Sequence, residues 1–108
     1  MDLGITTQAA GARTVVAVTG ELDVHTATDL QSALRDLIDS GSADVIVDLR
    51  ELEFLDSTGL GVLVRALKWA REAGGGLQVI ADDDKIVKVF TITGLGAAMS
   101  LTRVLQEP

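Results

Sequence analysis

The feature that most constrains the fold is the way two hydrophobic periods alternate along these 108 residues. Short β-branched runs, Thr14-Val15-Val16-Ala17-Val18-Thr19, Val45-Ile46-Val47 and Leu77-Gln78-Val79-Ile80, are separated by stretches whose apolar residues recur at helical spacing. Parallel neighbours need a crossover of a dozen or more residues, normally a helix. Strand, helix, strand at this spacing therefore predicts an α/β fold, with right-handed crossovers and a mostly parallel sheet. Runs of this kind suit strands covered on both faces. Ahead of them Leu3, Ile5 and Thr7 alternate with Gly4 and Thr6, and Gly11 marks a turn, which predicts a half-exposed antiparallel edge strand at the N-terminus. Met99-Ser100-Leu101-Thr102 is a weaker strand candidate, so the sheet should hold four to five strands.

Three helices are expected. In the first, Ala27, Leu30, Leu34, Leu37 and Ile38 form the apolar stripe, Thr26 is placed as N-cap with Asp29 three residues on, and Gly41 stops the helix. The second runs from about Thr58 to Ala73 and ends at Gly74-Gly75-Gly76. A shorter third spans Asp83 to Ile92, before Gly94. On the second helix Leu60, Leu63, Val64 and Leu67 should face the sheet. Val62, Ala66, Trp69 and Ala73 make a second apolar stripe about 120° away, at ~100° per residue. Either a neighbouring helix covers that stripe or it is an exposed ledge, and exposed apolar patches mark protein contacts. The sole proline is Pro108, no linker interrupts the pattern, and residues 1–108 read as one domain.

Composition narrows the function classes. The net charge is −7 and aromatic residues make up 3% of the chain, so phosphate-neutralising patches and stacking platforms for nucleic acid are missing. There is no cysteine, which removes disulfides and thiolate chemistry and fits a cytoplasmic address. The opening Met1-Asp2-Leu3-Gly4 lacks the basic and apolar regions of a signal peptide, and no apolar stretch approaches the ~20 residues of a membrane span.

In a parallel sheet the loops after the strands gather at one end, where ligands bind. Here those loops are acidic: Gly20-Glu21-Leu22-Asp23, Leu55-Asp56-Ser57-Thr58 and Asp82-Asp83-Asp84. Nucleophilic catalysis by Ser57 would need an oriented base, and the only histidine, His25, stands alone near the first helix. No glycine precedes Ser57, so the stretch is not a nucleophile elbow. Consecutive aspartates diverge and lack calcium-loop spacing, so helix capping is their duller reading, and no metal or cofactor site is expected. Gly59-Leu60-Gly61 lacks the lysine of a phosphate loop. Two readings of Ser57 remain: an N-cap, or an exposed hydroxyl that receives chemistry done by another protein, at a helix N-terminus whose free N–H groups favour an anion.

Three segments in order carry a resemblance over nearly the whole chain. Gly20-Glu21-Leu22-Asp23, Val47-Asp48-Leu49 through Phe54-Leu55-Asp56-Ser57-Thr58-Gly59-Leu60-Gly61, and Val89-Phe90-Thr91-Ile92-Thr93-Gly94-Leu95 resemble the signatures of STAS domains, specifically of bacterial anti-sigma factor antagonists. The resemblance implies a binding module without catalysis of its own. Its unphosphorylated form binds an anti-sigma factor and frees the sigma factor. That partner is a kinase using ATP and magnesium, and it phosphorylates the serine after the aspartate, here Ser57, with Thr58 in reserve. Phosphorylation ends binding and a serine phosphatase resets it. The partner surface is then expected to include Asp23, Asp56, Ser57, Thr58 and Gly59, together with Val62, Ala66 and Trp69 if these form a ledge. The chain is expected to be a monomer or weak homodimer, acting away from membrane and nucleic acid. Alternatives are a STAS adaptor of a transporter or signalling scaffold, and a nucleotide-binding protein using the acidic rim. The family often has a helix after its last strand, for which only Val104-Leu105-Gln106-Glu107-Pro108 remains. A short or missing helix there would leave the sheet edge near Met99 and Leu101 less covered.

Overall fold

The computed structural model describes residues 2–105. Its elements follow in the order β1 (Leu3–Ala10), β2 (Arg13–Leu22), α1 (Ala27–Asp39), β3 (Asp44–Asp48), β4 (Leu52–Leu55), α2 (Ser57–Glu72), β5 (Gly76–Ile80), α3 (Asp84–Thr93) and α4 (Leu95–Ala98). β1 and β2 form the expected antiparallel hairpin, in unbroken register from Leu3 opposite Gly20 to Ala10 opposite Arg13. The rest of the sheet is parallel. β2 pairs with β3 through its first half and with β4 through its end, and β3 pairs with β5.

Strand parity decides which residues enter the core. Val16, Val18 and Leu22 of β2, Val45 and Val47 of β3, and Leu77 and Val79 of β5 join one cluster with Leu30 and Leu34 of α1, Leu63 and Ala66 of α2, and Ile86 and Phe90 of α3. Alternate residues point to opposite faces of a strand, so all three long helices pack on one face of the sheet. Burial on both faces holds for β3, where Val45, Ile46 and Val47 are all buried. It does not hold for β2, whose Val15 and Ala17 are only half-buried on the helix-free face.

Two further expectations are corrected. The stripe formed by Val62 and Ala66 is not a ledge: these residues are 1% and 0% exposed. α1 covers them, with Arg65 Nε donating to Gln31 Oε1 (2.9 Å) and the Arg35 guanidinium stacked 4.8 Å from the Trp69 ring centroid. The buried arc of α2 is centred between the two apolar stripes, near Leu63 and Ala70. Val64 lies about 120° from Ala70 at ~100° per residue, and is exposed rather than turned to the sheet. The edge near Met99 is not bare either. Met99–Thr102 forms no strand, but Val79 N–H donates to the Met99 carbonyl (3.0 Å), Thr102 N–H to Val79 (3.1 Å) and Ala81 N–H to Thr102 (3.0 Å), while Met99 is fully buried. Of Val104-Leu105-Gln106-Glu107-Pro108, the stretch left for a C-terminal helix, Val104 and Leu105 are not helical, and residues 106–108 lie outside the described residues.

The glycine run after α2 divides its labour. Gly74 takes a left-handed conformation (φ 88°) with open space around it, whereas a Cβ on Gly75 would stand 2.1 Å from the Ala43 carbonyl oxygen, and one on Gly76 would meet nothing. Alanine substitutions should therefore rank Gly75, Gly74, Gly76 in cost. Overpacking against backbone predicts about 2 kcal/mol or more at Gly75, left-handed strain about 1 kcal/mol at Gly74, and open space within ~0.5 kcal/mol at Gly76. Urea midpoints of the three variants check the order, and Gly76→Ala as the costliest would contradict it.

Candidate functional site

The site begins with strand pairing. Leu22 of β2 stands beside Leu55 of β4 in parallel register, and Asp56 N–H donates to the Leu22 carbonyl (3.3 Å). Asp23 and Asp56, the next residues on each strand, therefore emerge side by side. Leu22 and Leu55 are buried under the first turn of α2, which approaches so closely that a Cβ on Gly59 would lie 2.5 Å from Leu22 Cγ. Gly59 belongs to the site through the side chain it lacks. Being buried, it offers a partner no surface. β4 is itself aimed by the turn before it, where Arg50 Nε and Nη2 donate to the two carboxylate oxygens of Asp48 (2.9 and 2.8 Å) and hold that carboxyl below its usual range.

Asp56, not Ser57, caps α2. Its extended backbone (φ −112°, ψ −175°) precedes the helix, and its Oδ1 accepts from the N–H groups of Thr58 (2.9 Å) and Gly59 (3.1 Å). An N-cap carboxylate satisfies donors that the helix leaves orphaned and complements the dipole. Of the free N–H groups expected at this helix start, two are thus already engaged. Ser57 occupies the first helical position, exposed, and neither its hydroxyl nor its N–H has a partner among the described residues. Thr58 is exposed one step further in.

The neighbouring loop is fastened by its own residues. Asp23 Oδ1 accepts from His25 N–H (2.9 Å) and Thr26 N–H (3.2 Å), while the buried Thr26 hydroxyl donates to the Glu21 carbonyl (2.7 Å) and accepts from Asp23 N–H (3.0 Å). The expected capping box of Thr26 with Asp29 is absent, because Thr26 turns back to the strand end and makes no side-chain cap bond. The N–H bond from His25 holds the Asp23 carboxyl below its usual range, with a smaller opposing effect of desolvation.

The structure brings Asp23, Asp56, Ser57 and Thr58 together and separates them from the other sequence candidates. Asp82–Asp84 follows β5, whose last residue, Ile80, pairs with Asp48 at the end of β3, below β4. There Asp83 caps α3 through Lys85 N–H (2.8 Å), and Arg103 donates to Asp84 Oδ1 (3.1 Å). Asp48 in turn pairs with Ala17, five residues before Leu22, so this third acidic loop leaves the sheet at a lower level than the loops of Asp23 and Asp56. Trp69 lies twelve residues along α2 from Ser57, about 18 Å at 1.5 Å per residue, and is half-buried against the core. What the sequence did not reveal is the apolar flank of the site, Val24 (63% exposed) and Phe54 (44% exposed). Phe54 is legible only once β4 is recognised, since it stands opposite Glu21 on that strand. The Glu21 carboxylate buries one oxygen, Oε2, with no hydrogen-bond partner among the described residues.

A family model described as "Mlab, STAS domain" matches residues 5–105. An anti-sigma-B factor antagonist of Staphylococcus aureus (strain NCTC 8325 / PS 47) is 37% identical over 95 residues, 88% of each chain. The crystal structure of an anti-sigma factor antagonist from Mycobacterium paratuberculosis superposes with a TM-score of 0.86 at 27% identity, over 96% of this chain and 88% of that one. The Bacillus cell fate determinant SpoIIAA in its phosphorylated form shares the fold at 23% identity, with a TM-score of 0.68 over 92% of this chain and 91% of that one.

Two outcomes test the geometry. Asp56→Ala should cost about 1 kcal/mol in urea unfolding, as loss of an N-cap does, and Asp56→Asn much less, since asparagine can accept the same N–H bonds. Equal losses would show that charge rather than capping matters. For Asp23 the folded pKa lies below the ordinary 3.8, so the stability it contributes is complete above that value and is lost as pH falls through the folded pKa. An NMR titration of the Asp23 carboxyl should place its midpoint below 3.8, and a midpoint at or above that value would mean that the turn bonds are not made.

Proposed function

Because the chain belongs to the STAS-domain family of anti-sigma factor antagonists, we propose that it is itself such an antagonist, a cytoplasmic binding module switched by phosphorylation of Ser57. In this reading the unphosphorylated form binds an anti-sigma factor and releases its sigma factor. The anti-sigma factor, acting as a kinase, transfers the γ-phosphoryl group of ATP to Ser57 Oγ. The bond to the bridging oxygen of ATP breaks, ADP leaves, and the hydroxyl proton passes to a base of the kinase. A phosphatase hydrolyses the ester and restores binding.

The observation that carries the reading is the state of the Ser57 side chain. It is exposed at the first position of a rigid helix, beside a fastened cap, with no internal hydrogen bond to give up. Asp56 and Asp23 each commit one carboxylate oxygen, Oδ1, to backbone N–H groups, which fixes the segment that presents Ser57.

Phosphorylation adds about −1.5 to −2 charge beside Asp23 and Asp56. Within the free domain water screens most of this. In a complex fitted to a neutral hydroxyl, like-charge juxtaposition costs several kcal/mol, enough for roughly a hundredfold loss of affinity.

With the cognate anti-sigma kinase and ATP, intact mass should increase by one phosphate, abolished in Ser57→Ala and retained in Thr58→Ala. Full phosphorylation of Ser57→Ala would remove the assignment. Ser57→Asp should weaken binding to the anti-sigma factor by most of the same factor. Amide shifts on phosphorylation should stay near Ser57, Asp23 and the start of α2, and shifts reaching Leu34 or Val79 would replace the local account with a global one.

A further inference from the structure

The sheet has three outer edges, and they are treated differently. The outer edge of β5 is hydrogen-bonded to Met99 and Thr102. β4 is only four residues long, carries Glu53 and follows Arg50-Glu51, so it is short and charged. β1 is eight residues long, Leu-Gly-Ile-Thr-Thr-Gln-Ala-Ala, without charge, proline or bulge, and its register with β2 is continuous. In an antiparallel ladder alternate residues aim N–H and C=O away from the partner. No hydrogen bond among the described residues takes up those outward groups of β1. Proteins normally blunt such an edge with charge, proline or a bulge, because an unprotected one templates pairing with another chain.

We propose that β1 is a self-association edge, on which β1 of a second copy of this chain adds antiparallel to make one continuous sheet across a two-fold axis. Such an interface is isologous and needs a self-complementary strand. Pairing centred on Thr6 meets the need: Thr6 faces its own copy, Ile5 faces Thr7, Gly4 faces Gln8 and Leu3 faces Ala9. Each pair has matching parity, so the half-buried Leu3 and Ile5 stay on the helix-covered face. Cross-strand threonine pairs are favourable, and no like charges oppose each other. Asp2 would face the uncharged Ala10 of the second copy. An extended peptide could hydrogen-bond to the same edge, but an uncharged strand whose residues pair with themselves in one register favours the second copy. The seam lies across β2 from β4, so Ser57 stays open in both copies.

The test uses the full chain at about 0.15 M salt, where the Debye length of ~8 Å screens the repulsion between two acidic copies. Sedimentation equilibrium should show a monomer–dimer system, and Thr6→Lys/Thr7→Lys should weaken it at least tenfold. Circular dichroism will verify the fold of that variant, and if it is unfolded, crosslinking decides alone. The chain has no cysteine, so Thr6→Cys supplies a single thiol at the two-fold axis. It should oxidise to a covalent dimer more readily than Thr28→Cys on exposed α1. A chain that stays monomeric to roughly 1 mM, whether or not an extended peptide adds to its edge, would overturn the proposal. So would a dimer indifferent to a folded lysine variant, or equal crosslinking from Thr28→Cys.

Discussion

Everything at the site depends on the parallel pairing of β4 with the last residues of β2. That pairing sets Leu22 beside Leu55, and burial of both leucines beneath α2 fixes where Asp23 and Asp56 leave the sheet. Burying a leucine side chain stabilises by roughly 1.5–3 kcal/mol, more than either carboxylate turn supplies. The polar residues are placed by apolar ones. Gly59 is the point of closest approach, and it lets the helix start directly on this leucine pair.

Much of this was legible in the sequence. The alternation of β-branched runs and helical periods predicted the mixed sheet, and glycines marked helix ends at Gly41 and Gly94, both left-handed in the structure. β4 was not legible, because Leu52-Glu53-Phe54-Leu55 is four residues long and breaks strict alternation, with Leu52 and Leu55 buried and the pair between them exposed. The identity of the cap at α2 was missed for a different reason. Asp, Ser and Thr all cap well, and only the extended backbone of Asp56 selects it from Asp56-Ser57-Thr58. The ledge failed because two apolar stripes on one helix signal two covered faces as readily as one exposed one, and α1 supplies the second cover.

The cap changes how added charge at Ser57 should be understood. Thr58 and Gly59 already give their N–H groups to Asp56, so a phosphate on Ser57 would find only the Ser57 N–H without displacing that carboxylate. The helix dipole still favours an anion there by roughly 0.3–1 kcal/mol, but it is already complementing one. The domain therefore has little to gain or lose internally, and the energetic difference falls on whatever partner must cover the segment.

The stacking of Arg35 on Trp69 has an optical consequence. Trp69 is the only tryptophan in the chain, and its ring lies against Arg35 of α1, about three helical turns from Ser57. Its emission is governed by the guanidinium over its face and by the water admitted when the two helices part. Intrinsic fluorescence is thus a single-site gauge of helix-pair integrity and is nearly blind to events at the serine. A chromophore intended to follow Ser57 would have to be placed on the other end of the helix, where Val24 and Phe54 already face solvent.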